Sequence, residues 1–443
     1  MRIVKNLSEA RATVLRRKTP GEAVMPPAQM ERLREVFGEP LTPDQAVDRI
    51  LDEVRRRGDS AVREYSLPFD GQQVDELEVP RSEIEAAPGR IPAELLDALT
   101  LAAGRIRDFH QRQVPQDWFD TRQGMVGQIF RPLDRVGIYV PGGTAAYPST
   151  VLMTAIPARV AGVGEVVVTT PPRYAGPAVL AAAALAGVDR LFRVGGAQAI
   201  AAMAYGTETI PKVDKIMGPG GLFVLLAKRK VYGQVDVDCL AGPTETMILA
   251  DDSASPACCA ADLLAQAEHD PLASAILITT SVRQAEAVSV EVERQLSSLA
   301  RRETAELSLE NNGGIVIVDS LIQGLELANE YAPEHLCLMV EDPWALVGRV
   351  RNAGAIFLGE ESHETLGDYV AGPSHVMPTG GSARFASPLV VRDFIKEISV
   401  IALGTEAARS LEGAARTIAL AEGLEGHARA VEARWSQRKG DPK

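Results

Sequence analysis

The stretch Val136-Gly137-Ile138-Tyr139-Val140-Pro141-Gly142-Gly143 decides the fold. Its first five residues are uncharged and rich in β-branched types, which reads as a buried strand. The Pro-Gly-Gly that follows breaks the strand, and Ser149 or Thr150 is placed to cap a helix over Val151 to Val163. The same unit then repeats. Glu165 to Thr169 and Arg190 to Val194 read as strands, and Ala178 to Ala186 as an Ala-rich helix. Gly195-Gly196 opens a helix to Tyr205. Asp214 to Met217 precedes Gly218-Pro219-Gly220-Gly221 and a helix over Leu222 to Tyr232. Strand, glycine turn and helix in alternation imply a parallel sheet with right-handed crossovers. Ligands of such sheets bind at the carboxyl ends of the strands, where these glycines fall. No GxGxxG occurs, so the common dinucleotide fingerprint is absent, and tight turns alone would also explain the glycines.

A second alternation follows. Met247 to Ala250, Ala275 to Thr279, Gly314 to Val318, Leu336 to Val340 and Ala355 to Leu358 read as strands with helices between them. Ser255-Pro256 is an N-cap followed by a proline at the first helical position. The expected architecture is α/β, with two Rossmann-like parallel-sheet domains and small helical segments at either end. Residues 1–30 form an N-terminal segment, broken by Pro20, Pro26 and Pro27. Residues 31–138 and 246–389 form one discontinuous domain, 139–245 a second, and 390–443 a helical tail. In the N-terminal third, Thr42-Pro43 opens a helix carrying Ala46, Ile50, Leu51 and Val54, and Arg57-Gly58-Asp59 ends it. A later helix, near 94–113, carries His110, expected on its exposed face.

A chain of 443 residues is long enough for two or more domains. Hydrophobic content of 46% and charged content of 24% are those of a soluble globular protein. A net charge of −13 argues against nucleic acid as a partner. No apolar run approaches membrane-spanning length and the N-terminus shows no signal peptide, so a cytoplasmic location is expected. Cys239, Cys258, Cys259 and Cys337 contain no CxxC pair, which disfavours a thiolate metal site. Cys258 and Cys259 read as buried small apolar residues.

Only six histidines are present, and four stand in short polar clusters. Gln266 and His269, three apart near a helix end, share one face. Glu334-His335 directly precedes a strand, where adjacent side chains point apart and can serve different partners. Asp368 and His375 lie in Gly-rich loops after the last strand. Glu422 and His427 are roughly 140° apart on a straight helix, and Gly423 and Gly426 between them suggest that the helix bends or ends there. Imidazole is both the usual titrating group near neutrality and the commonest metal ligand. A metal site with an acid/base pair is the chemistry these residue types suit.

With these motifs in place, the chain resembles the histidinol dehydrogenase family. The resemblance rests on the Val136–Gly143 stretch, Gly195-Gly196-Ala197-Gln198-Ala199-Ile200, Ala241-Gly242-Pro243-Thr244-Glu245, Ala265-Gln266-Ala267-Glu268-His269, Pro333-Glu334-His335-Leu336 and Gly367-Asp368-Tyr369. It implies oxidation of L-histidinol to L-histidine through the aldehyde, with two NAD⁺. It implies one zinc ion per subunit, held by Gln266, His269, Asp368 and His427. It makes His335 the general base and Glu334 the activator of water, with Thr244, His375 and Glu422 also lining the substrate pocket. Tyr139 and Gln198 match NAD contacts. Gly221 stands where the family usually has Asn, and Thr244 where it often has Ser. The family is a homodimer in which the residues matching Glu422 and His427 complete the other subunit's site. The alternatives are a relative oxidising another amino alcohol or polyol, a zinc hydrolase using Glu334, and a silent binding protein.

Overall fold

The computed structural model describes residues 1–17, 27–122, 124–142, 146–240 and 242–436. Pro20, Pro26, Gly143, Ala241 and the end of the basic tail lie outside the described residues. The chain forms two compact units, residues 1–114 with 133–394, and residues 115–132 with 395–443.

The first unit contains two parallel sheets. One has five strands in the spatial order Arg190–Arg193, Glu165–Thr170, Arg135–Tyr139, Lys215–Met217, Asp236–Val237. Every pairing in it is parallel. Counted along the chain this is the order 3-2-1-4-5, with the switch point between Arg135–Tyr139 and Lys215–Met217. The other sheet has six strands in the order Ile3–Val4, Gly313–Ile317, Ser274–Thr279, Glu245–Ala250, His335–Met339, Ala355–Leu358, again all parallel. Without its Ile3–Val4 edge it repeats the order 3-2-1-4-5. The two parallel sheets expected from the alternation are present, and they share one topology.

Alternating side chains explain why both sheets are covered on both faces. In the five-stranded sheet Ile138, Val166 and Val168 pack into one apolar cluster, whereas Tyr139, Val167 and Phe192 pack into another. The second cluster is completed by helices Pro43–Arg57 and Asp59–Asp70. The N-terminal helices therefore lie on the sheet of residues 135–237, although the sequence grouped 31–138 with 246–389. Helix Pro43–Arg57 begins with a full capping box, Thr42 with Gln45, and ends at Gly58. The six-stranded sheet buries Ile248, Leu277 and Cys337 on one side and Met247, Leu249, Ile276 and Leu336 on the other.

Several local expectations are corrected. His110 is fully buried, its Nδ1 on the Ile106 carbonyl at 2.8 Å, because the buried face of helix Ala93–Gln111 extends to its last turn. Ser149 and Thr150 do not cap. The helix starts earlier, at Pro148, and both side chains are buried in its first turn. Asp368 lies on a helix, Glu364–Tyr369, rather than in a loop. Cys258 is exposed, while Cys259 is buried.

The second unit holds a three-stranded antiparallel sheet in the order Ile395–Ala402, Met125–Pro132, Trp118–Asp120. It also holds the helices Thr405–Ala421 and Glu425–Ser436. The expected helical tail thus begins with a strand, whose partner lies some 270 residues earlier in the sequence.

Candidate active site

Two groups of polar side chains sit at opposite ends of the two sheets. The first gathers at the amino ends of strands in the six-stranded sheet. His335 pairs in register with Thr246 on the neighbouring strand, so the residues just before each strand meet. Glu334 is buried there, and its Oε2 accepts from the Thr244 hydroxyl at 2.5 Å and the Glu245 N–H at 2.9 Å. His335 is buried beside it, with Nδ1 3.7 Å from the same Oε2. The two side chains do not point apart as strand alternation would have them. Glu334 precedes the first paired residue and escapes the pleat.

His335 is held on both ring nitrogens. Nδ1 lies 3.1 Å from the Glu245 carbonyl and Nε2 3.2 Å from Asp368 Oδ1. Both partners are acceptors, so this arrangement carries both ring protons. Burial lowers its pKa, but Glu334, Asp368 and Glu364 outweigh that and raise it to about 10. The ring also stacks on Phe357, 5.7 Å between centroids. Burial pushes Glu334 up to about 7, against the pull of His335 and Thr244. These groups titrate as one coupled set.

Asp368 binds two histidines in different ways. Its carboxylate meets His335, while its carbonyl takes the Nδ1 proton of His375 at 2.7 Å. His375 Nε2 is then the acceptor for Thr150 Oγ1, 3.3 Å away. Burial lowers the pKa of His375 and so keeps it neutral. Burial also lowers that of His269, despite the field of Asp368, although part of the residue is exposed. Asp368 itself is pulled below the usual carboxylate range, because its histidine partners outweigh burial.

Gln266 ends the buried face of helix Pro256–Ala267 and lies between Thr244 and Glu364. With its amide nitrogen on Glu364 Oε1 at 3.1 Å, its oxygen accepts from the Glu245 N–H at 3.1 Å. Glu364 did not stand out in the sequence. It is buried, its Oε2 accepts from Thr246 Oγ1 at 2.7 Å, and burial raises its pKa to about 8. The available signal was its i, i+4 spacing from Asp368, which matters only once that segment is read as a helix.

The second group lies at the carboxyl ends of the five-stranded sheet. The Tyr139 hydroxyl accepts from the Gly196 N–H at 3.1 Å. Gln198 is buried and donates to Asp70 Oδ2 at 3.3 Å, and Asp70 also accepts from the Gly195 N–H at 3.3 Å. Asp70, like Glu364, carries no motif that marks it in the sequence; burial raises its pKa to about 6. Gly221 is the N-cap of helix Leu222–Val231, with ordinary backbone angles, and a Cβ added there would meet no atom within 4 Å.

Glu422 and His427 belong to the second unit. Glu422 is the C-cap after Ala421, Gly423 turns the chain at φ 74°, and His427 stands in the first turn of the next helix. The helix ends between them, as their spacing suggested, and both are exposed. Among the described residues, no three His, Cys, Asp or Glu side chains form a metal cage. Of the expected ligands, the first unit supplies Gln266, His269 and Asp368. A neutral imidazole and an ionised carboxylate are usual zinc donors, whereas the Gln266 amide oxygen is not an expected one.

Comparison with known proteins decides the family. Residues 40–435 match the family described as Histidinol dehydrogenase. The chain belongs to the histidinol dehydrogenase family. A histidinol dehydrogenase of Deinococcus radiodurans is 53% identical over 433 residues, 96% of this chain and 98% of that protein. One of Moorella thermoacetica is 54% identical over 395 residues, 88% of this chain and 93% of that protein. The crystal structure of histidinol dehydrogenase from Elizabethkingia anophelis superposes with a TM-score of 0.88 at 34% identity, covering 99% of this chain and 98% of that one. The family makes this chain an oxidoreductase of histidine biosynthesis, as the motifs implied.

Proposed function

We propose that this protein oxidises L-histidinol to L-histidine in two hydride transfers to NAD⁺, through L-histidinal. The observation that carries the reading is the buried Glu334–His335 pair, pinned by the backbone of Glu245 beside Asp368, Gln266 and His375. Family membership supplies the substrate class.

Each residue has its own part in this chemistry. His335 donates Nδ1–H to the Glu245 carbonyl, which leaves Nε2 as the catalytic nitrogen. Nε2 takes the carbinol proton as hydride leaves. It can do so once Asp368 is engaged by a cation and no longer holds the second ring proton. Glu334, poised near neutrality, removes a proton from the water that hydrates the aldehyde. As water adds, His335 returns its proton to the aldehyde oxygen, and it is then free to take the proton of the hydrate as the second hydride leaves. Thr244 and His375 line the substrate pocket, and Tyr139, Gln198 and Gly221 line the NAD side.

Gln266, His269, Asp368 and His427 would hold one zinc ion, with Glu422 and His427 completing the site of the other subunit in a homodimer. When bound, zinc supplies a template that orients the substrate's imidazole and amine. No described helix is long and apolar enough to cross a membrane. We place the enzyme in the cytoplasm.

The test is NADH formation from L-histidinol by purified protein, before and after chelation and after zinc is restored. Two NADH per histidinol, lost on chelation and regained with zinc, is the expected result. No NADH from histidinol by metal-loaded protein would overturn the reading and favour another alcohol as substrate.

A further inference from the structure

Gly218 opens the turn at the switch point of the five-stranded sheet, and its backbone is held from two sides. Its N–H donates to Asp238 Oδ2 at 2.6 Å, and its carbonyl accepts from Lys228 Nζ at 3.0 Å. Lys228 and Asp238 are also ion-paired to each other, with side chains only 2% and 5% exposed. Gly218 adopts φ 105°, a conformation that favours glycine. Its α-carbon lies against the Tyr139 carbonyl so closely that a Cβ would collide with it. Asp238 has further ties. Its N–H donates to the Ile216 carbonyl at 3.1 Å, and its Oδ1 accepts from the Cys239 N–H at 2.6 Å.

A buried ion pair is weak evidence for stability, since apolar side chains often pack as well. Here its groups are spent on a single turn. They satisfy both polar backbone atoms of one glycine, beside a tyrosine on the cofactor side. We propose that Lys228 and Asp238 are positioning residues for the dinucleotide. They fix the Gly218–Gly221 turn, and with it the start of helix Leu222–Val231, in the shape that receives NAD⁺. Lys228 is too buried to meet the cofactor and acts only through the turn. The inference rests on the NAD⁺ reading above.

The helix contains its own control. Lys230 also pairs with aspartates, but with Asp44 and Asp48 rather than with the Asp238 that holds the turn. Lys228→Met should raise the KM for NAD⁺ at least about tenfold, the effect of losing a charged hydrogen bond. Its kcat and its KM for histidinol should stay within about twofold of the wild type. Lys230→Met should leave all three unchanged. Calorimetric binding of NAD⁺ to the metal-loaded proteins should show the same split. An unchanged KM for NAD⁺ in folded Lys228→Met, or equal changes in both lysine variants, overturns the proposal. If Lys228→Met does not fold, Lys228→Met with Asp238→Asn leaves no unpaired buried charge and is read by the same criterion. Failure of both to fold assigns the pair to folding and overturns a positioning role. A wild-type enzyme that forms NADH from histidinol separates this outcome from a failure of the NAD⁺ reading, which would remove the proposal with it.

Discussion

The two parallel sheets share a strand order and use opposite ends. At the carboxyl ends of the five-stranded sheet the turns are glycines, with φ 62° at Gly196 and 105° at Gly218. At the carboxyl ends of the six-stranded sheet stands Asp251, whose side chain accepts from the N–H groups of Ser253 at 2.9 Å and Glu341 at 3.1 Å. An acid there consumes the donors that a phosphate would need. The buried polar cluster of the six-stranded sheet is instead at its amino ends, where helix Pro256–Ala267 finishes beside Gln266. Helix N-termini collect at carboxyl ends and favour anions, whereas C-termini collect at amino ends and favour cations. One topology therefore offers helix N-termini that suit an anion at one end and helix C-termini that suit a cation at the other. On the reading proposed above, the general preference for carboxyl ends describes only the first sheet.

The comparison can be broken by showing that the two ends do not act separately. His335→Asn should lower kcat by about 10²–10⁴-fold while NAD⁺ binding measured by calorimetry stays unchanged. A matching loss of NAD⁺ binding would mean that the ends are one site. Mixed with inactive His427→Asn chains, inactive His335→Asn chains should regain part of the activity. No recovery in dimers shown to have exchanged would argue against a site shared between subunits.

At the other edge, Gly218→Ala should cost about 1–3 kcal/mol of stability, read by denaturant unfolding, from the strained φ and the crowded Tyr139 carbonyl. Its KM for NAD⁺ should rise and its KM for histidinol should not. Asp262, on the helix that carries Gln266, has an unpartnered buried Oδ2, and burial raises its pKa to about 6. The ionised form therefore costs the native state fully above pH 6, and that cost fades as pH falls from about 6 and is gone below about 4. Asp262→Asn should gain about 1–2 kcal/mol at pH 8, allowing for solvent screening, and nothing at pH 4. A gain that persists at pH 4 would show that charge is not its cause. The smallest effect is expected at Gly221, where side-chain space is open. Gly221→Asn should lower the KM for NAD⁺ by about 2- to 10-fold, the worth of one hydrogen bond. An unchanged KM would remove Gly221 from the cofactor side.

Much of this was legible. Strands such as Val136–Val140 and Leu336–Val340 are apolar runs bounded by breakers, and both lie within one residue of their expected positions. Ser255 caps its helix as its Ser-Pro pair signals. The misses have physical causes. His110 ends a helix whose buried side is chosen by what packs on it. Asp368 sits on a helix of six residues, too short for periodicity to show. Strand Ile395–Ala402 is mostly exposed and owes its form to a distant partner, Met125–Pro132.

The order of residues alone dictates the alternation of strand and helix, the glycine turns and the inventory of acids, amides and imidazoles. Those are local properties of backbone freedom and apolar period. Folding selects which groups meet: Glu334 with Thr244 across 90 residues, Glu364 with Thr246 across 118, and Asp70 with Gln198 across 128. It also selects which ionise, because a carboxyl's charge depends on burial and on neighbours that chain order does not name.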